Sequence, residues 1–138
     1  MTDDELRAIL ETSTTIAVIG ASTDPEKAAH RVPALLLEHG YTVIPVHPKA
    51  EEVLGQRAYP TLAEVPVPVD VVDVFRPADE APGIAEQAVA AGAKVLWLQQ
   101  GIASDEARAT AESGGLRHVE DVCIGATARR LDTHPPAG

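Results

Sequence analysis

Short β-branched runs alternate, along almost the whole chain, with segments whose apolar residues recur at helical spacing. In "TDDELRAILETS", Leu6, Ile9 and Leu10 fall on one face and Thr2 and Glu5 stand at capping-box spacing, which predicts a short opening helix. "TIAVIG" reads as a buried strand closed by a glycine. "VPALLLEHG" predicts a helix starting near Val32 or Pro33, with Gly40 just past its end. "YTVIPV" is a second strand. Prolines then punctuate the stretch from Glu51 to Pro68, where the pattern supports only a short helical turn around Thr61–Val65. "VDVVDVF" is a third strand, and "APGIAEQAVAAG" a helix with Pro82 in its first turn and Gly92 at its end. "AKVLWLQQG" is a fourth strand, "SDEARATAESGG" a helix capped by Ser104, and "LRHVEDVCI" a fifth strand. "DTHPPAG" reads as a disordered tail, so the expected division is a domain over 1–131 and a tail over 132–138.

Alternating strands and helices with right-handed crossovers predict a single α/β domain. It is a Rossmann-like, doubly wound, mostly parallel sheet of about five strands with helices on both faces. Ligands of such sheets sit beyond the carboxyl ends of the strands, where the strand order switches. The ends to inspect are Gly20–Thr23, His47–Lys49, Phe75–Pro77, Gln99–Ile102 and Asp121–Ile124.

Composition narrows the reading. With 138 residues the chain can build one core, and with only 3% aromatics that core must rest on Val, Ile, Leu and Ala. A net charge of −10 argues against nucleic acid or an anionic membrane as the main partner, and any anion site must be made locally. Cys123 is the one cysteine, so no internal disulfide forms. No stretch approaches the roughly 20 apolar residues of a membrane span, and the start lacks a signal-peptide pattern. A soluble, cytoplasmic protein is the expectation.

An NAD site wants G-x-G-x-x-G with the helix following at once. Here Gly20 stands alone before Ala21, Ser22 and Thr23. Such a loop can still bring N–H groups and Ser22 Oγ to a phosphate, with Arg31 adding charge; a ligand-free connection is the alternative. At the second strand end an NAD site places a carboxylate against the ribose. This chain has His47, Pro48 and Lys49 instead, which favours a phosphorylated ribose as in NADP or coenzyme A, unless Lys49 is simply solvated. Phe75 and Arg76 suit adenine stacking or phosphate pairing, though Arg76 can equally pair with Asp79 or Glu80. Gln99, Gln100 and Gly101 put uncharged amides at the fourth end, and Trp97 is expected in the core.

Taken in order, "VIGAS", "GYTVIPVHPK", "VDVVDVFRP", "AKVLWLQQGI" and "DVCIG" resemble the small stand-alone CoA-binding domain proteins, which are similar to the CoA-binding N-terminal domain of the succinyl-CoA synthetase alpha subunit. The resemblance runs from Thr14 to Leu131. It implies coenzyme A or an acyl-CoA lying across the strand ends: the nucleotide against Gly20, Ala21, Ser22 and Thr23, Lys49 toward a phosphate, Phe75, Arg76 and Pro77 beside the adenine, and Leu98, Gln99 and Gln100 nearest the pantetheine. Two departures stand out. His47 occupies a turn usually written Pro-Val-Asn-Pro, and Val122 stands where Met-Asp-Arg-Cys would supply an arginine.

Nothing in the pattern assembles a catalytic group. His30, His39, His47, His118 and His134 are scattered without metal-ligand spacing, so no metal is expected. His39 reads as a helix-end residue and His118 as structural. Cys123 has no evident base, leaving packing, or a mixed disulfide with CoA under oxidation. Asp70 and Asp73 point to opposite faces of their strand, and Asp73 is expected to be buried and hydrogen-bonded to backbone. The expectation is therefore a non-catalytic carrier, sensor or regulatory module for CoA. An NADP-binding reductase-like domain and a structural or protein-binding domain with a degenerate site are the alternatives. An Ala-rich helix face offers a surface for a homodimer.

Overall fold

In the computed structural model, which describes residues 1–137, five parallel strands run through the middle of the protein. They are β1 (Thr15–Ile19), β2 (Thr42–Val46), β5 (Val71–Val74), β6 (Val95–Leu98) and β7 (Arg117–Val119), in the spatial order β2-β1-β5-β6-β7. The chain moves outward from β1 to β2, then crosses back to β5 on the other side of β1. The switch in strand order therefore lies between β1 and β5, with Ile19 paired to Val74 at its carboxyl end. This is the expected Rossmann-like fold.

Alternation along the strands sends successive side chains to opposite faces, and each face has its own core. Ile16, Val18, Val71, Trp97 and Val119 pack under α1 (Asp3–Glu11), α2 (Ala28–Glu38) and α5 (Ile124–Leu131). Ala17, Val72, Val74, Leu96 and Leu98 pack under α3 (Ala81–Ala90) and α4 (Asp105–Ser113). Trp97 is fully buried, as its place in an apolar strand implied, and its Nε1 donates to the Val122 carbonyl at 2.8 Å. Local signals hold at the helix starts. Thr2 and Glu5 form the capping box of α1, and Ser104 Oγ accepts from Ala107 N–H at the start of α4. No helix among the described residues is long and apolar enough to cross a membrane.

Helices α3 and α4 approach so closely that Gly114, the residue after α4, leaves no room for a side chain. A Cβ there would stand 2.5 Å from Val89 Cγ2 and 3.2 Å from Val89 Cβ, so no rotation of Val89 relieves the contact. We expect Gly114→Ala to lower the unfolding free energy by about 1–3 kcal/mol, the usual cost of overpacking. Adding Val89→Ala should recover part of that loss in a denaturant-melt double-mutant cycle. Strictly additive effects would contradict the clash.

Four local expectations are corrected. Helix α2 starts at Ala28, not near Val32, so Pro33 lies inside it. Proline has no N–H for the Ala29 carbonyl one turn back, and that carbonyl instead accepts the Ser22 N–H at 3.1 Å. The segment 52–57 forms an antiparallel hairpin, β3 (Glu52–Val53) with β4 (Gln56–Arg57), turning at Leu54 and Gly55, both of positive φ. The fifth strand stops at Val119. Asp121 takes φ 56° and breaks it, and Cys123 becomes the N-cap residue of α5. Asp73 is fully buried, but neither carboxylate oxygen has a hydrogen-bond partner among the described residues.

Asp70, just before β5, has a different fate. Burial works to raise its carboxyl, but the N–H groups of Thr15 and Thr14 and the Lys94 ammonium outweigh it and hold the group below the usual carboxylate range. Within the segment read as a tail, Thr133 is buried, and its Oγ1 accepts from the Tyr41 hydroxyl at 3.0 Å. Gly138 lies outside the described residues.

Candidate functional site

The glycine that ends β1 is where the sheet opens. Gly20 holds φ 88°, a conformation that side chains disfavour, and a Cβ on it would stand 3.0 Å from Arg76 Cδ and 3.4 Å from Phe75 Cβ. The backbone conformation is what calls for glycine here, with the Arg76 side chain close beside it. The Gly20 N–H donates to the Val46 carbonyl, which ties the β2 end to the same point. Beyond Gly20 lies a cavity of about 390 Å³, floored by Ile19, Gly20 and Val46 and walled by Pro48, Pro60, Leu62, Arg76 and Ile84.

The loop from Ala21 to Lys27 is braced from within. Ser22 N–H is held by the Ala29 carbonyl, Ser22 Oγ accepts from Asp24 N–H at 3.0 Å, and Asp24 Oδ1 accepts from Glu26 N–H at 3.0 Å. The oxygen of the hydroxyl expected to meet a phosphate thus also shapes the turn. Ala21 and Thr23 keep N–H groups with no partner among the described residues. Ala21 is buried and Thr23 is exposed.

At the β2 end, His47 holds its turn through the ring. Its Nδ1 accepts the N–H groups of Lys49 at 3.0 Å and Ala50 at 2.9 Å, wrapping the chain into a tight turn. The turn needs that lone pair, and an imidazolium ring has none to offer. Lys49 is exposed and lines a second cavity of about 620 Å³ with Glu51, Glu52, Gly55 and Arg57. Pro48 and Pro60 line both cavities, so the two adjoin. The β3–β4 hairpin builds the far wall. The chain after it returns to β2 through Tyr59, which donates its N–H to the Pro45 carbonyl and accepts from His47 N–H. Arg57 lies over the Tyr59 ring at 5.3 Å.

The remaining expected residues disperse. Arg76 rims the first cavity, but Glu80 holds its guanidinium in a two-pronged pair at 3.2 and 2.8 Å, the plainer of the two roles its surroundings allowed. Phe75 is half-buried and packs toward the core, while Pro77 caps the short turn before α3. Leu98 is fully buried. Gln99 is buried too, its Oε1 accepting the Ile124 N–H at 2.9 Å where α5 begins. Gln100 and Gly101 are exposed, and Gly101 N–H is held by Asp121 Oδ1 at 2.7 Å. Arg31 donates to the Glu26 carbonyl and lines a separate hollow between α2 and α5, beside Cys123 and Arg129. Gly20, Pro48 and Arg76 are thus brought together, with His47 and Lys49 next door, whereas Arg31 and Leu98–Gly101 are not. Pro60, Thr61, Leu62, Ile84 and Gln87 line the cleft without having been anticipated, since ordinary apolar and polar residues carry no chemical mark.

Against this geometry the relatives can be placed. Residues 14–129 match the family described as CoA binding domain. The chain belongs to that family. It is 38% identical over 120 residues to the uncharacterized protein YneT of Bacillus subtilis, covering 87% of this chain and 89% of that one. A structure described as a hypothetical protein from Pyrococcus horikoshii OT3 is 42% identical, with a TM-score of 0.91 over 95% of this chain and 92% of that one. A third relative is far longer. The ADP-forming acetate–CoA ligase I of Archaeoglobus fulgidus is 29% identical over 80% of this chain, but the match spans 18% of the ligase. The CoA-binding domain thus occurs both in chains of this size and within larger ligases, and both lie within the resemblance drawn from the sequence.

Proposed function

We propose that this chain binds coenzyme A or an acyl-CoA across the β1, β2 and β5 ends and serves as a non-catalytic carrier, sensor or regulatory module. What carries the reading is one juxtaposition. The glycine-floored cleft at the strand switch adjoins a cavity holding Lys49 and Arg57, two cations on a strongly acidic chain. In this pose the free N–H groups of the Gly20 loop face the pyrophosphate, the proline-lined passage takes the adenosine, and Lys49 meets the phosphate on the ribose.

Calorimetric titration with CoA, dephospho-CoA, NADPH and NADH tests it. CoA should bind, with dephospho-CoA weaker by about ten- to a hundredfold, the worth of a hydrogen bond to a charged group. Lys49→Ala should erase most of that difference and leave dephospho-CoA affinity nearly unchanged. Preferential binding of NADPH, or no discrimination between CoA and dephospho-CoA, overturns the assignment.

A further inference from the structure

At the end of α2 farthest from the CoA cleft, the chain folds two histidines and an aspartate onto one another. His39 ends α2, Asp132 follows α5 with φ 51°, and His134 lies two residues on. Spacing along the sequence gives no hint of the cluster, because the turn at Asp132 is what carries His134 back over His39. Each of the three offers a ligand atom within 4.8 Å of the other two.

The hydrogen bonds around the cluster show which atoms are available. His39 Nδ1 lies 2.9 Å from the Thr133 carbonyl, and His134 Nδ1 lies 3.3 Å from the His39 carbonyl. A carbonyl only accepts, so each Nδ1 carries its hydrogen and each Nε2 is the nitrogen left to meet a ligand. A backbone carbonyl holding the far nitrogen is the usual support of a metal-bound histidine. His134 Nε2 in turn faces Asp132 Oδ1 at 3.3 Å. Two lone pairs meeting at that distance call for something positive between them, either a proton or a cation.

The platform beneath is firm. Thr133, between the two C-terminal ligands, is fully buried, its N–H donating to the Ala128 carbonyl at 3.0 Å and its Oγ1 bonded to Tyr41. The rings of His39 and His134 are stacked at 5.5 Å. In a tetrahedral zinc site with metal–ligand distances near 2.1 Å, ligand atoms stand about 3.4 Å apart. The side chains of Asp132 and His134 are exposed, and the three ligand atoms already lie within 4.8 Å of one another.

From this we propose that His39, Asp132 and His134 form a binding site for a divalent first-row transition metal, zinc above all, which clasps the segment after α5 to the end of α2. Two imidazoles and one carboxylate are a borderline donor set that suits zinc, with nickel and copper as competitors, and disfavours magnesium and calcium. Three protein ligands leave a position open to water.

The test is zinc titration of the full chain by calorimetry, in a non-chelating buffer above the histidine pKa range, with melting temperature read in parallel. Wild type should bind one zinc ion per chain and gain stability that saturates with zinc. Exposed His134 can be removed without disturbing the core. His134→Ala should weaken binding by about a hundredfold or more, since losing merely an outer-shell partner costs about ten- to a hundredfold. Asp132→Asn should weaken it by at least about tenfold, and Cys123→Ser should leave it unchanged. Cobalt should give a visible absorption band with wild type that His134→Ala abolishes. Wild type that takes up no zinc at about 100 µM, or His134→Ala binding within about threefold of wild type, overturns the proposal and leaves a protonated histidine–aspartate pair in its place.

Discussion

Replacing Asp73 with asparagine stabilises the protein by an amount that grows as the pH rises. Asp73 sits on the central strand β5, paired in register with Val18 and Trp97 and turned toward the core beneath α1, α2 and α5. Burial pushes its carboxyl well above the usual carboxylate range, so the folded protein keeps the proton. The unfolded chain loses that proton from the ordinary value of 3.8 upward. Asp73 therefore costs nothing extra below that pH, and its penalty increases until the folded-state carboxyl itself ionises. In that window the stability of Asp73→Asn relative to wild type should climb by about 1.4 kcal/mol per pH unit. Asp70 and Glu120, both held below the usual range, slope the other way, losing stability as the pH falls, but they are common to both proteins and cancel in the difference. Chemical denaturation of the pair at several pH values measures it. A difference that stays flat from pH 4 to pH 7 would show that Asp73 ionises in the fold as it does in the open chain.

Gly20→Ala should damage both stability and ligand affinity, and the two losses can be separated. A side chain in the left-handed region costs about 1–2 kcal/mol. The new methyl also stands 3.0 Å from Arg76 Cδ, so the arginine chain at the rim of the cleft must give by a few tenths of an ångström. The expected result is a lower melting temperature together with at least about a tenfold loss of CoA affinity, the effect of losing about 1.4 kcal/mol of contact. Gly92→Ala supplies the control. Gly92 ends α3 with φ 74° and nothing within 4 Å of its would-be Cβ, so it carries the same backbone penalty away from the cleft. If both variants lose CoA to the same degree, the effect belongs to stability and not to the Gly20 floor.

Reading this chain from its residues succeeds where one local pattern decides the outcome. The runs "TIAVI", "VVDV" and "VLWL" have no other way to hide their side chains than a sheet covered on both faces, and the parallel order follows from the helices between them. It fails where a tertiary contact overrides the local signal. Pro33 reads as a helix start because proline is comfortable there, and only the Ser22 N–H donated to the Ala29 carbonyl makes an interior proline tolerable. The hairpin turns on a leucine at φ 55°, which no turn propensity selects. Helix α5 is absent from the sequence reading. Ile124, Ala128 and Leu131 keep helical spacing and Arg129 and Arg130 occupy the last turn, but the apolar "HVEDVCI" before them reads as continuous strand.

The cleft shows the same division. Gly20, His47 and Lys49 were marked out by a lone glycine and by the lack of a carboxylate at the second strand end, and the structure places Gly20 in the cleft with His47 and Lys49 beside it. Gln99 and Ser22 are polar residues of equally suggestive type, yet both are consumed by the fold, one holding α5 and the other shaping its own loop. Composition cannot tell a polar oxygen that waits for a ligand from one that already accepts a bond from the fold.

The interior proline of α2 gives the molecule a lock whose key is a hydrogen the chain never carries. Were residue 33 to have an amide, its N–H and that of Ser22 would share the Ala29 oxygen, and the anchor of the residues after Gly20 would weaken. If the strand switch receives an anion as proposed, the loop around it is set in advance by a gap in the helical ladder, rather than drawn into shape by the guest.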